Sequence, residues 1–234
     1  MDKEIEIIEN KVNNLKSDLQ KELDDIEKMG CYKLKTLCIM ALLEQYAQSY
    51  NYEKKKSNSQ KFTDFVSTFS KNKIIKLYDP VTLSYEYNRC SKNAKYDLAL
   101  PSYESPIYIT NDILKSKVRE LESLINSEKA LKCTRLLSKH QIVALLYRYR
   151  CKLSHEFKSP SFIWKHEQNL DVPFVTEVTS IGEKKRITRW ELRLPYKFIK
   201  NIITETVNNY LDNCIQKGVL PFSNNQQYLD WYEN

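Results

Sequence analysis

Residues 146–157 read Leu146-Tyr147-Arg148-Tyr149-Arg150-Cys151-Lys152-Leu153-Ser154-His155-Glu156-Phe157, and the fold is read outward from them. Ile142, Leu146, Tyr149 and Leu153 recur at steps of four, three and four, which predicts one buried face of a helix running from Ser138 to about Glu156. Two arginines and a lysine precede a histidine at the end of that helix. At about 100° per residue, Arg148 and His155 fall about 20° apart, two turns from each other, with Cys151 on the same side. Arg150 falls about 140° from His155, toward the buried face. Arginine is a permanent, forked donor for phosphate oxygens. Histidine is the side chain most readily poised for proton transfer near neutrality. The set therefore suits a phosphodiester; the plainer reading is an amphipathic helix whose basic side faces water. His140, beside the buried face, reads as a packed or hydrogen-bonded histidine, and His166 as a polar residue of a connection.

Helical periodicity extends to both sides. Ile5, Ile8, Val12, Leu15, Leu19, Leu23 and Ile26 give a heptad-like seam over residues 3–29, closed by Gly30. Such a seam suits either a helix lying along its own domain or one that dimerises or binds a partner. Further helices are predicted over 31–52, 61–69 (with Phe62, Phe65, Val66 and Phe69 on one face), 74–88 with a break near Pro80, and 111–126. Residues 54–60 read as a polar loop, and 89–109, with Pro101 and Pro106, as a long one.

Beyond Pro160 the period changes. Phe162 and Trp164 alternate, as do Phe174, Thr176 and Val178, and Trp190, Leu192 and Leu194, with Gly182 between the last two runs. This predicts a small antiparallel hairpin of up to three strands, inserted at about 161–194. Pro195 then opens a last helix with Ile199, Ile202, Ile203, Val207, Tyr210 and Cys214 on its apolar face, ended by Gly218. The expected division is a helix over 1–30, a mainly α bundle with its β-hairpin insert over 31–218, and a polar tail over 219–234. On the hairpin, Lys184, Lys185, Arg186, Arg189 and Arg193 cluster on and near one strand face, opposite Trp190, Leu192 and Leu194. That face reads as an RNA track or as an ordinary solvated strand face.

Composition removes several classes. Three glycines in 234 residues cannot build a GxGxxG or a GxxxxGK[ST] loop. The six cysteines form no CxxC pair, and only three histidines could join them, so neither a zinc site nor another cofactor is expected. The scatter fits reduced thiols in a cytoplasmic protein. Met1-Asp2-Lys3-Glu4 lacks the features of a signal peptide, and no apolar run approaches a membrane span. The net charge of +7 fits a polyanion partner, or merely a lysine-rich solvated surface.

An arginine, four to six residues, then a histidine, after an apolar-aromatic run near the end of a long helix, resembles the motif of the HEPN superfamily. The helical context from about residue 31 to 216 is similar too, and so are the hairpin and the Pro-initiated helix after it. The resemblance implies an all-α domain acting as a homodimer, in which two motifs face each other and form a composite cleft for RNA. It implies a metal-independent endoribonuclease, of a kind found among toxins and antiphage defence effectors, in which a 2′-hydroxyl attacks the adjacent phosphate. Arg150 and His155 take the catalytic positions. Arg148, Lys152 and Ser154 become auxiliary phosphate contacts, with Lys185 and Arg189 on the hairpin as further RNA contacts. A protein inhibitor or partner subunit is implied as well. Cys151 stands where the family often has Asn. Phe157 stands where toxins controlled by adenylylation carry a tyrosine; it offers no hydroxyl to modify. A competing reading is a non-catalytic helical module that binds a protein partner or a nucleotide.

Overall fold

The computed structural model describes residues 2–50, 55–91, 95–127, 137–156, 163, 165–181 and 186–222. Among them are seven α-helices: α1 (Asp2–Lys28), α2 (Tyr32–Tyr50), α3 (Asn58–Phe69), α4 (Pro80–Cys90), α5 (Asp112–Ser127), α6 (Ile142–Glu156) and α7 (Tyr196–Lys217). Three short strands, β1 (Ile107–Tyr108), β2 (Phe174–Ile181) and β3 (Arg186–Arg193), precede α7. The protein is thus mainly α with one small sheet. Among the described residues no helix is long and apolar enough to cross a membrane.

The chain forms two compact units. The first comprises Met1–Asn72, Arg150–Lys158 and Ile199–Asn234; the second comprises Lys73–Tyr149 and Ser159–Phe198. The expected divisions at residues 30 and 218 are not boundaries between them, because α1 belongs to the first unit with α2, α3 and most of α7. Residues 223–234 of the expected tail lie outside the described residues.

In the first unit the α1 seam is buried: Ile8, Val12, Leu15, Leu19, Leu23 and Ile26 are at most 9% exposed. The chain's own helices therefore cover the surface that a dimerising helix would need, and the seam packs in cis. Lys16 reaches Asp212 of α7 at 2.6 Å, and Lys35 of α2 reaches Glu27 at 3.0 Å. These pairs are partly exposed and add little beside the apolar burial. Further in, Tyr46, Tyr50, Phe65, Phe69, Tyr210 and Phe222 form an aromatic core, with ring centroids 5.1 to 6.5 Å apart and mostly edge-on or tilted. The backbone N–H of Phe222 donates to the Tyr210 hydroxyl at 3.1 Å, tying the chain after α7 to that core. Gly218, at φ 62°, ends α7 in the left-handed conformation that glycine accepts without strain.

Helix α3 begins inside the stretch that reads as a polar loop. Ser57 and Gln60 form a reciprocal capping box, with Gln60 N donating to Ser57 Oγ at 3.3 Å and Ser57 N to Gln60 Oε1 at 3.0 Å. Two otherwise unpaired N–H groups are satisfied there, so the helix starts earlier than its apolar face does.

In the second unit, Pro80 opens α4 and Asp79 caps it, accepting from Val81 N at 3.0 Å and Thr82 N at 3.2 Å. Leu83 and Tyr87 of α4 pack with Leu121 and Ile125 of α5. The sheet order is β1-β2-β3, antiparallel throughout, with Ile107 opposite Val175 and Phe174 opposite Arg193. The hairpin lies within its expected limits. Its third strand is β1, supplied by the stretch that reads as a long loop; Phe162 and Trp164 lie outside the described residues.

Candidate functional site

Arg150, Cys151, Lys152, Ser154 and His155 occupy the last turns of α6, in the first unit. Leu153 is fully buried and anchors the turn, which leaves Lys152, Ser154 and His155 exposed. The Arg150 side chain is 23% exposed and forms an ion pair with Glu44 of α2, whose side chain is 10% exposed. One turn on, Arg150 Nη1 donates to Ser154 Oγ at 3.3 Å, and the Ser154 hydroxyl donates to the Cys151 carbonyl at 3.1 Å. The guanidinium is thus held on two sides, by a carboxylate from another helix and by a hydroxyl from its own. Both contacts together use a minority of its five N–H donors. Separating an arginine from a largely buried carboxylate leaves an uncompensated charge and costs up to about 3–5 kcal/mol. The pair is therefore a fixed part of the site.

The Ser154 hydroxyl thus accepts from Arg150 and donates to the Cys151 carbonyl, so it is engaged within its own helix. Ser154 supports Arg150 here. Lys152 is exposed beside it.

Arg148 belongs to the second unit, and its guanidinium donates to the Lys139 carbonyl. It also lies within electrostatic reach of Asp79 and Glu86. Asp79 is fully buried, and burial raises its carboxyl above the ordinary value, against hydrogen bonds from Thr82 and Val81 and the charge of Arg148. His140 is 2% exposed, with Nδ1 2.9 Å from Thr82 Oγ1. Burial, reinforced by Arg148, pushes its imidazole down to about 4. His140 is the packed, neutral histidine that its position in the sequence suggests. The backbones of Asp79 and His140 are joined as well, with Asp79 N donating to His140 O at 2.9 Å and Ile142 N to Leu77 O at 2.9 Å. Arg148 thus ties α6 back to the 3-10 turn at Ser138–His140, a structural task that the two-turn spacing to His155 does not reveal.

On the hairpin, Arg189 is 64% exposed but paired with Glu191 at 2.7 Å; Glu191 also takes Arg193 at 3.2 Å. Arg193 is 5% exposed and so does not lie on a solvated basic face. Its partner across the sheet, Phe174, is fully buried, and that side of β3 turns inward at its C-terminal end. Arg189 remains the exposed cation of the described part of the strand face, with its charge offset by Glu191. Lys185, with Lys184, lies outside the described residues, as does Phe157.

Among the described residues, no group of three or more His, Cys, Asp or Glu side chains is arranged to hold a metal ion. No family model, curated protein or solved structure matches the chain.

Glu44 is the residue of this site that the motif does not announce. It is the only acidic residue of α2, set in an otherwise apolar stretch after Leu42 and Leu43. A lone carboxylate on the buried side of such a helix needs a cation, and that is the signal by which the sequence marks it.

Proposed function

We propose that the protein is a metal-independent endoribonuclease of HEPN type that acts as a homodimer. The observation that carries this reading is the pairing, on the last turns of one helix, of a tethered arginine with an exposed histidine five residues on. In the proposed reaction the 2′-oxygen of one nucleotide forms a bond to the adjacent phosphorus, and the bond from phosphorus to the 5′-oxygen of the next nucleotide breaks. A 2′,3′-cyclic phosphate and a 5′-hydroxyl are left. His155 removes the 2′-hydroxyl proton, and His155 of the partner subunit returns a proton to the leaving 5′-oxygen. Arg150 donates to the non-bridging oxygens, where negative charge grows in the transition state. Lys152 draws the RNA backbone toward the site. A toxin or antiphage role is the setting in which such an activity would serve.

The test is incubation of the purified protein with total cellular RNA, with and without a chelator, beside His155→Ala. The expected result is cleavage that survives the chelator, leaves cyclic phosphate ends, and falls by about 10²- to 10⁴-fold in the variant. Wild-type cleavage by a folded His155→Ala protein overturns the mechanism. Activity that disappears with chelator and returns with magnesium overturns it too.

The competing reading, a partner-binding module docking through residues 3–29, is disfavoured by one observation. The seam it would use is already buried in the first unit.

A further inference from the structure

We infer that Glu44 is a positioning residue of the ribonuclease site, fixing the Arg150 guanidinium so that its remaining donors meet the scissile phosphate; this rests on the ribonuclease reading. The reasoning begins with the helix. Arg150 stands about 140° around α6 from His155, so a freely extended arginine would not share a ligand with it. The side chain has to be bent back and held. Two contacts do this. Glu44, reaching from α2, takes Nη2, and Ser154, the neighbour of His155, takes Nη1. The second contact draws the guanidinium along the helix toward the turn that carries His155. The first fixes the plane of the guanidinium from the opposite element. Arginine is the side chain suited to this, because its planar fork can give one edge to a carboxylate and another to a phosphate at the same time.

Two features of Glu44 distinguish positioning from inhibition. Its side chain is 10% exposed, so an incoming phosphate that displaced it would leave a buried, uncompensated carboxylate. And it belongs to α2, whose neighbouring residues Met40, Leu43 and Ala47 are fully buried, so it does not swing aside. The carboxylate therefore remains on the arginine throughout the reaction and acts on the phosphate only through it.

The consequence is a kinetic signature. Groups that align a ligand or donor typically matter by about 10- to 100-fold. If Arg150 acts on the transition state, loosening it lowers kcat while KM is unchanged. The experiment measures kcat and KM on a fluorogenic single-stranded RNA for wild type, Glu44→Gln, Glu44→Asp, Arg150→Gln and the double variant Glu44→Gln/Arg150→Gln, with thermal melting to establish folding. The expectation is that Glu44→Gln loses about 10- to 100-fold in kcat with KM unchanged. Glu44→Asp, which keeps the charge on a shorter stem, falls between it and wild type. Because Glu44 acts through Arg150, the double variant has the kcat of Arg150→Gln alone. That double variant also removes both charges and leaves none orphaned, so it reads the coupling even if Glu44→Gln does not fold. Undiminished kcat in folded Glu44→Gln overturns the inference while the ribonuclease reading stands. So does a double variant further impaired than Arg150→Gln. RNA left uncut by wild type and His155→Ala alike overturns the ribonuclease reading, and this inference with it.

Discussion

Leu19→Ala should destabilise the first unit as a core truncation does. Leu19 is 3% exposed, in the middle of the α1 seam, with Leu15 and Leu23 one turn away at 9% and 3%. Removing three carbons from such a site costs the lost transfer energy plus that of the cavity left behind, about 2–5 kcal/mol together. The whole stability of a domain is of order 5–15 kcal/mol, so the variant gives up a large share of it. With a urea slope of about 2 kcal/mol per molar, a loss of about 3 kcal/mol lowers the midpoint by about 1.5 M. The control is Ile7→Ala, on the same helix but 59% exposed, where a change within about 0.5 kcal/mol is expected. The assay is equilibrium unfolding in urea, followed by circular dichroism and tyrosine fluorescence at two protein concentrations tenfold apart. Because a dimer's midpoint rises with concentration for every variant, the readout is the gap between Leu19→Ala and wild type, which stays the same at both concentrations if the seam is satisfied within one chain. Equal midpoints for Leu19→Ala and Ile7→Ala would refute the packing described here, as would a gap that closes at the higher concentration.

Other expectations follow from the second unit and from the proposed assembly. His140 ionises at about 4 when folded, below its ordinary 6.5, so its contribution is present above pH 6.5 and is lost as pH falls toward 4. A displacement of that size is worth about 3 kcal/mol. The buried Asp79, raised in the fold, acts in the opposite sense and adds stability in acid, while Arg148, Lys139 and Glu86 set the local field. Wild type should therefore lose about 3 kcal/mol more than His140→Gln between pH 6.5 and 4; parallel pH profiles would contradict this. Arg148→Ala should lower the melting temperature, since it strips the Lys139 carbonyl of its donor, and should leave RNA affinity per folded molecule unchanged. A stable Arg148→Ala protein with weakened RNA binding would restore it as a phosphate contact. Sedimentation at tens of micromolar should show a dimer, and a monomer throughout would count against the composite cleft.

The helices were legible because each carries its apolar face at steps of three and four, but their limits moved: the stretches read as helix from Ile74 and from Ser138 open with 3-10 turns at Lys73–Lys76 and Ser138–His140 before α4 and α6 begin. Ser57 and Gln60 start α3 by hydrogen bonding rather than by hydrophobic period. β1 was not legible, since two residues cannot display alternation; it is a strand only because Ile107 meets Val175, far along the chain. At the site, the motif residues Arg150 and His155 were found from local spacing. The distribution of work among their neighbours was not. Arg148 and Arg150 stand two residues apart with the same chemistry, and what separates them is remote partners, Lys139 with Asp79 for one and Glu44 for the other. Arg193 misled for a related reason: its place in a basic cluster suggests solvent, but its strand end is covered.

The aromatic core of the first unit also sets an order of events during synthesis. Tyr46, Tyr50, Phe65 and Phe69 leave the ribosome well before Tyr210 and Phe222, whose rings they must meet. About 140 residues separate the two groups, and at about 5–20 residues per second they take about 7–28 s to make. For that interval the aromatic face of α2 and α3 lacks the rings of Tyr210 and Phe222. The second unit is drawn from residues 73–198 alone, so all of its chain has been made before the first unit has the rings that close it. The nascent chain thus spends many seconds with this aromatic face incomplete, and slowing translation over residues 73–198 lengthens that interval.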